Sequence, residues 1–134
     1  VLTFERKAFE SQVRLDYEIE PDLQMPMLEN SIRQLVEILL DNGVKHSNPG
    51  ENIVIRLYKE NKKLFLTVTN RGEEIPKGEE EKIFERFYRI DKSRNRSEGR
   101  YGLGLAIAKS IVEQHKGQIS ASSANGQTTF CVRF

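Results

Sequence analysis

One cysteine among 134 residues rules out an internal disulfide. Cys131 lies in the alternating run Thr129-Phe130-Cys131-Val132-Arg133-Phe134, so strand packing is its expected role, in a chain that reads as intracellular. No apolar stretch reaches the roughly 18 residues that a membrane span needs, and the start is not signal-like. Any membrane anchor is therefore expected outside these residues. Neither charge sign dominates, with 21 lysines and arginines against 20 aspartates and glutamates. That balance excludes the global basic field behind non-specific nucleic-acid or membrane binding, so an anion site has to be local. No G-x-x-x-x-G-K-[ST] occurs, which excludes a P-loop as the phosphate device. There is no internal repeat and no low-complexity segment. The length fits one domain that can bury a core without staples. The chain opens on Val1 and in mid-pattern, which predicts a piece of a longer protein, with residues 1–12 leading in from a preceding domain.

What is present is alternation and two helical stripes. Val13, Leu15, Tyr17 and Ile19 alternate with Arg14, Asp16 and Glu18, the period of a half-buried strand, and Pro21 ends it. Ile32, Leu35, Val36, Leu39 and Leu40 share one helical face, predicting a helix from about Asn30 that frays between Gly43 and Ser47. Ile53, Ile55 and Leu57 make one strand and Leu64, Leu66 and Val68 another, with Lys59 to Lys63 as the hairpin connection. Pro76-Lys77-Gly78 turns the chain into a short charged helix carrying Ile83, Phe84, Phe87 and Tyr88. Asp91 to Arg100 holds Lys92, Arg94, Arg96 and Arg100 and no apolar residue, so a mobile loop is expected there. Leu105, Ile107, Ala108, Ile111 and Val112 form a second long helix, closed by Gly117 after His115 and Lys116. Strands over about Gln118–Ser122 and Thr128–Phe134 turn through Asn125-Gly126. Runs of strands with two long helices between them predict an α/β (α+β) fold, a two-layer sandwich with helices on one face of a mixed sheet.

Four segments carry the chemistry. In Gly99-Arg100-Tyr101-Gly102-Leu103-Gly104-Leu105, glycines run directly into a helical pattern, so the loop can let a phosphate approach the main chain while the helix N-terminus offers N–H groups. Asn42, Lys45 and His46 share one helix face, which places an amide oxygen beside a cation, as Mg²⁺ and a polyphosphate require. Asn70-Arg71-Gly72-Glu73-Glu74-Ile75-Pro76 follows a strand. Ile83-Phe84-Glu85-Arg86-Phe87-Tyr88-Arg89 places Phe84 and Phe87 in core spacing and leaves Arg89 without a packing explanation.

Together these segments resemble the N, G1, F and G2 boxes of the histidine kinase catalytic and ATP-binding domain, over roughly residues 10 to 134. The resemblance implies a Bergerat-type ATP-binding fold for residues 13–134, with an ATP lid at about 90–101. It implies that Asn42 binds Mg²⁺, that Lys45 contacts a phosphate with His46 near the nucleotide, and that Asn70 accepts the adenine amino proton. Gly72, Ile75, Tyr88, Gly99, Tyr101, Gly102, Leu103, Gly104 and Leu105 are implied as further ATP contacts, and Arg89 as a cation reaching the phosphates; Asn42, Lys45 and Arg89 form the implied catalytic set. Three departures stand out. Ile38 replaces a polar residue that relatives use, as Glu, for hydrolysis; Asn70 replaces the usual Asp, predicting weaker adenine binding; Glu74 replaces a glycine and puts a carboxylate near the phosphates.

The implied reaction is transfer of the γ-phosphoryl of Mg-ATP to a histidine on a dimerisation domain of the same bacterial kinase, for relay to a response regulator. The acceptor motif, a histidine followed by an acid, is absent at both His46 and His115, so the chain lacks its own substrate. Membrane attachment is expected only through parts outside this cytoplasmic domain, and nucleic acid is not an expected partner because no aromatic platform accompanies the lid arginines. The alternatives are a degenerate nucleotide-binding sensor, motivated by Ile38, Asn70 and Glu74, and a serine kinase of the anti-sigma type.

Overall fold

The alternating segments pair into one sheet in the computed structural model, whose described residues are 13–21, 29–86, 88 and 104–134. In chain order the elements are β1 Arg14–Ile19, α1 Glu29–His46, β2 Asn52–Glu60, β3 Lys63–Arg71, a 3₁₀ turn Lys82–Phe84, α2 Gly104–Gln114, β4 Gln118–Ala124 and β5 Gln127–Arg133. The strands lie in the order β1-β2-β3-β5-β4. β1 runs parallel to β2, and the remaining neighbours are antiparallel. Both helices cover the same face, as the pattern predicted. Ile53, Ile55, Leu66, Val68, Phe130 and Val132 point into the core from the sheet, meeting Leu35, Leu39 and Leu40 of α1 and Ala108, Ile111 and Val112 of α2. On the helix-free face Tyr58 and Phe65 stack at 5.2 Å between ring centroids.

Two hairpins set the register. Asn61 and Lys62 between β2 and β3 have φ of 50° and 65°, and Asn125 and Gly126 between β4 and β5 have 55° and 74°. Positive φ at both central residues is the turn whose twist matches antiparallel strands. Asn125-Gly126 announces this in the sequence; Asn61-Lys62 does not, because its second residue has a Cβ to accommodate.

Four local expectations need correction. α1 does not fray at Gly43 but runs to His46, because Gly43 is buried and lies directly on the sheet: a Cβ there would be 3.4 Å from Ile53 Cδ1. In β1 the alternation does not mean burial throughout, since Tyr17 and Ile19 are 40% and 58% exposed on an edge strand. The charged helix after Gly78 contracts to a 3₁₀ turn: adjacent Ile83 and Phe84 are both buried, and Glu85 leaves with extended backbone (φ −76°, ψ 148°). Tyr88 lies beyond that turn, and Phe87 is outside the described residues.

The fourth concerns the end of α2. Gly117 is not the left-handed residue; Lys116 is, with φ of 61°. Gly117 N–H donates to Val112 O at 2.9 Å and Lys116 N–H to Glu113 O at 3.0 Å, the paired bonds of a Schellman motif. The glycine is needed one residue later for space, since a Cβ at 117 would lie 2.5 Å from Arg133 O and 3.1 Å from Val112 Cγ1. Torsion and contact therefore make opposite demands at neighbouring positions. Gly117→Ala is expected to cost about 1–3 kcal/mol in urea denaturation as the overpacked junction shifts. Lys116→Gly is expected to gain about 0.5–1 kcal/mol by relieving the left-handed torsion. A gain from Lys116→Gly with no loss from Gly117→Ala would show that torsion alone sets this junction.

Candidate functional site

The end of α1 and the end of β3 meet through a backbone contact that only glycine permits. A Cβ on Gly72 would fall 2.2 Å from His46 O and 3.2 Å from Ser47 Cα, at a φ of 157°. Ser47 and Gly72 form an isolated antiparallel bridge. Asn48 N–H donates to Arg71 O at 3.0 Å, and Glu73 N–H donates to His46 O at 3.3 Å, so a carbonyl left without a partner inside the helix finds one in the loop. Across the same seam His46 Nδ1 lies 3.0 Å from Glu73 Oε1. The seam thus brings the segment of Asn42, Lys45 and His46 beside the segment of Asn70, Gly72 and Ile75.

At this end the inner face of the sheet changes character. Leu66, Val132 and Ile119 form one row across β3, β5 and β4, and Val68, Phe130 and Ala121 the next. The row after that is polar: Asn70, Thr128 and Ser123. Ile75 N–H donates to Ser123 Oγ at 3.0 Å, the Ser123 and Thr128 hydroxyls are 2.6 Å apart, and Thr128 Oγ1 donates to Glu73 O at 3.4 Å. A hydroxyl relay therefore clips the loop to the sheet at two of its backbone groups. Gly72 N–H donates to Gly126 O at 2.9 Å, and Gly126 N–H donates in return to the Glu74 carboxylate. The Glu74 carboxylate, which the sequence places near the phosphates, is thus tied to the β4–β5 turn.

Asn70 is 2% exposed, and its Nδ2 has no hydrogen-bond partner among the described residues. A buried donor without an acceptor costs about 1–3 kcal/mol, which an incoming acceptor can recover. Ile75, whose N–H is held by Ser123 of the same polar row, is buried in the core cluster.

The third wall is the start of α2. A Cβ on Gly104 would lie 3.6 Å from Ile38 Cγ2, so the face of α1 that carries buried Ile38 meets the first residue of α2. Half-buried Asn42 is one turn further along that face, and exposed Lys45 follows it. The first turn of α2 has no acidic residue, and the N–H groups of such a turn with its dipole favour negative charge. Leu105 packs partly buried against the core. The Tyr88 hydroxyl is shielded without a well-formed hydrogen bond. Its burial, together with the nearby Glu79 and Glu85 carboxylates, pushes the phenol up to about 12, so it stays protonated. Arg89, Gly99, Tyr101, Gly102 and Leu103 lie outside the described residues.

Among the described residues no group of three His, Cys, Asp or Glu side chains could hold a metal by itself. A single amide oxygen from Asn42 suits a Mg²⁺ ion, which keeps several waters and takes phosphate oxygens as its other ligands. Motif reading missed Ser123 and Thr128. Their signal was in the strands: the inward positions of β4 and β5 turn from Ala121 and Phe130 to hydroxyls at the site end.

The sequence model described as histidine kinase-, DNA gyrase B-, and HSP90-like ATPase matches residues 27–134. The signal transduction histidine-protein kinase ArlS of Staphylococcus haemolyticus (strain JCSC1435) is 40% identical over 129 residues, covering 92% of this chain and 28% of ArlS. The chain thus spans less than a third of the length of that relative. The catalytic domain of histidine kinase ThkA superposes with a TM-score of 0.86 at 25% identity, covering 99% of this chain and 85% of that domain. A ThkA structure in complex with the response regulator protein TrrA superposes with a TM-score of 0.82 at 24% identity, covering 99% of this chain and 37% of that one.

The hydroxyl relay has a measurable consequence. Ser123→Ala leaves Ile75 N–H and Thr128 without their shared partner and is expected to cost about 1–2 kcal/mol in urea denaturation. Amide hydrogen exchange at Ile75 should accelerate more than at Val68 in the strand, because the loop opens locally. Unchanged exchange at Ile75 would mean that the loop is held by its other contacts alone.

Proposed function

The chain belongs to the histidine kinase-, DNA gyrase B-, and HSP90-like ATPase family, and from that premise we propose that it is the ATP-binding catalytic domain of a membrane-anchored sensor histidine kinase. In this reading it binds Mg-ATP and transfers the γ-phosphoryl group to a histidine on the dimerisation domain of the same kinase. A response regulator then receives the group, as the ThkA–TrrA complex suggests by analogy. The observation that carries the reading is the Gly72 seam, which sets the Asn42–His46 face beside the Asn70–Ile75 loop, with the start of α2 packed on Ile38. Residues 13–134 form the ATP-binding domain and about 90–101 its lid. No helix among the described residues is long and apolar enough to cross a membrane, so the anchor is assigned to other parts of the protein.

Transfer of this kind is mainly positioning and charge stabilisation. Lys45 and the α2 N-terminus attract the polyphosphate, and Arg89 is assigned to the charge that develops on the moving phosphoryl group. Bound Mg²⁺, held through Asn42, neutralises phosphate oxygens. Ile38, apolar and packed at Gly104, offers no base to activate water at this position. The histidines of the chain are already engaged: His46 Nδ1 faces Glu73 at 3.0 Å, and His115 Nδ1–H donates to Ile111 O at 2.8 Å.

Calorimetry with millimolar Mg-ADP tests binding directly, and absence of heat together with absence of a thermal shift would favour a domain that has lost nucleotide binding. Asn42→Ala is expected to lower phosphoryl transfer to a supplied dimerisation domain by about 10²-fold or more, a typical loss for a group that organises transition-state charge. Its stability should change by less than about 1 kcal/mol, since Asn42 lies outside the Leu35–Leu39 core stripe. Incubated alone with γ-labelled ATP, the chain should acquire no acid-labile label. Label on His46 or His115 would contradict the separation of catalytic and acceptor parts.

A further inference from the structure

Three polar side chains are buried among the described residues: Thr67, Asn70 and Thr128. Thr67 alternates with Leu66 and Val68 and so belongs to the helix-free face. Thr128 is committed to Ser123 and to Glu73 O. Asn70 differs from both, because its Nδ2 is buried on the inner face with no acceptor among the described residues. The Tyr88 hydroxyl, the other buried polar atom without a well-formed hydrogen bond, already has the Glu79 carboxylate beside it. An amide carries both an acceptor and two donors, and by turning about Cβ–Cγ it can present either end first.

If the site takes a nucleoside triphosphate, as proposed above, its two ends divide by chemistry. Polyphosphate belongs at the cationic end, with Lys45 and the start of α2. The flat base belongs against the apolar inner face, where the uncommitted polar group among the described residues is the Asn70 amide. We propose that the Asn70 amide, with Asn70 at the base edge as the family resemblance implies, admits 6-oxopurine nucleotides as well as 6-aminopurine ones. With a 6-aminopurine, Oδ1 accepts from the amino group and Nδ2 donates to N1. With a 6-oxopurine, Nδ2 donates to O6 and Oδ1 accepts from N1–H. Each arrangement gives the orphaned donor an acceptor and pairs both the group at position 6 and N1. A carboxylate at this position can only accept, so it would favour the amino group and oppose the oxo group. The neutrality of the amide also fits its depth, since an unpaired carboxylate at 2% exposure would need a counter-charge.

The experiment compares Mg²⁺-dependent binding of ATP, ITP and GTP to the 134-residue chain by calorimetry. ITP isolates the effect, because it differs from ATP at position 6 and in the proton on N1. The expected result is ITP binding within about tenfold of ATP, and ITP binding weaker than ATP by about a hundredfold would overturn the proposal. Binding of ATP alone would leave the nucleotide reading standing and remove this inference, whereas failure of all three nucleotides would remove both. Asn70→Asp should raise the ATP-to-ITP preference by about tenfold or more, chiefly through loss of ITP. If circular dichroism shows that Asn70→Asp does not fold, Asn70→Ala replaces it and should weaken ATP and ITP by equal factors. A preference unchanged in Asn70→Asp, or unequal losses in Asn70→Ala, would mean that another group reads the base.

Discussion

The close approach of Gly72 to the last carbonyl of α1 is the constraint on which the rest of this end of the molecule depends. A single methyl group there would overlap His46 O, so the loop after β3 could not reach the helix and the His46–Glu73 contact could not form. The consequences spread in two directions. Toward the helix, α1 is held to the sheet through its final turn, which lets Asn42 and Lys45 keep helical spacing where a free end would fray. Toward the sheet, Gly72 N–H and Gly126 O join, so the position of the loop is transmitted to the β4–β5 turn.

That second path explains how a glycine can be replaced by Glu74 without loosening the loop. Glutamate removes a torsionally free point, and its carboxylate closes a reciprocal pair of bonds with the Gly126 backbone. The Ser123–Thr128 relay fastens the same loop from the inner face. Loop residues are usually the least restrained part of a site. Here the restraints come from hydroxyls and backbone groups already fixed by the hairpin, so ordering the loop for a ligand requires little additional loss of freedom.

The architecture was legible because it rests on periodicity. Ile53–Leu57, Leu64–Val68 and the stripe from Ile32 to Leu40 assign faces without ambiguity, and a mixed sheet with helices on one side follows. Less legible were places where two short-range demands conflict. Gly117 looked like a torsional cap, but the torsion is carried by Lys116 and the glycine answers a contact with Arg133 O, which lies far along the chain. Gly43 looked like a point of fraying because its helix propensity is low, but tertiary contact with Ile53 and Val68 overrides that preference. Among site residues, the co-location of Asn42, Lys45 and His46 could be read from helical spacing. Their adjacency to Asn70 and Gly72 depends on backbone contacts that no local pattern encodes. Ser123 and Thr128 went unread because a polar residue in a strand usually marks the solvent face, and only the register with Asn70 shows that these two face inward.

The three departures from the family pattern can be understood together through charge. Each occupies a position where a related protein can place a carboxylate or a flexible residue; Ile38 and Asn70 leave their positions uncharged, whereas Glu74 adds a carboxylate that is tied to the β4–β5 turn. Ile38 is apolar and packed at the start of α2, Asn70 is neutral at a depth where a carboxylate would lack a counter-charge, and the Glu74 carboxylate is engaged by the Gly126 N–H. A chain with almost equal numbers of both signs has no global field to draw in a polyanion. The attraction has to be local, and a local site works best when the few charges near it are cations or helix N–H groups and the anions are already paired. Apolar Ile38, packed at the start of α2, then suits a site that holds a phosphoryl donor for an external acceptor, since it cannot activate the water that would compete for the group.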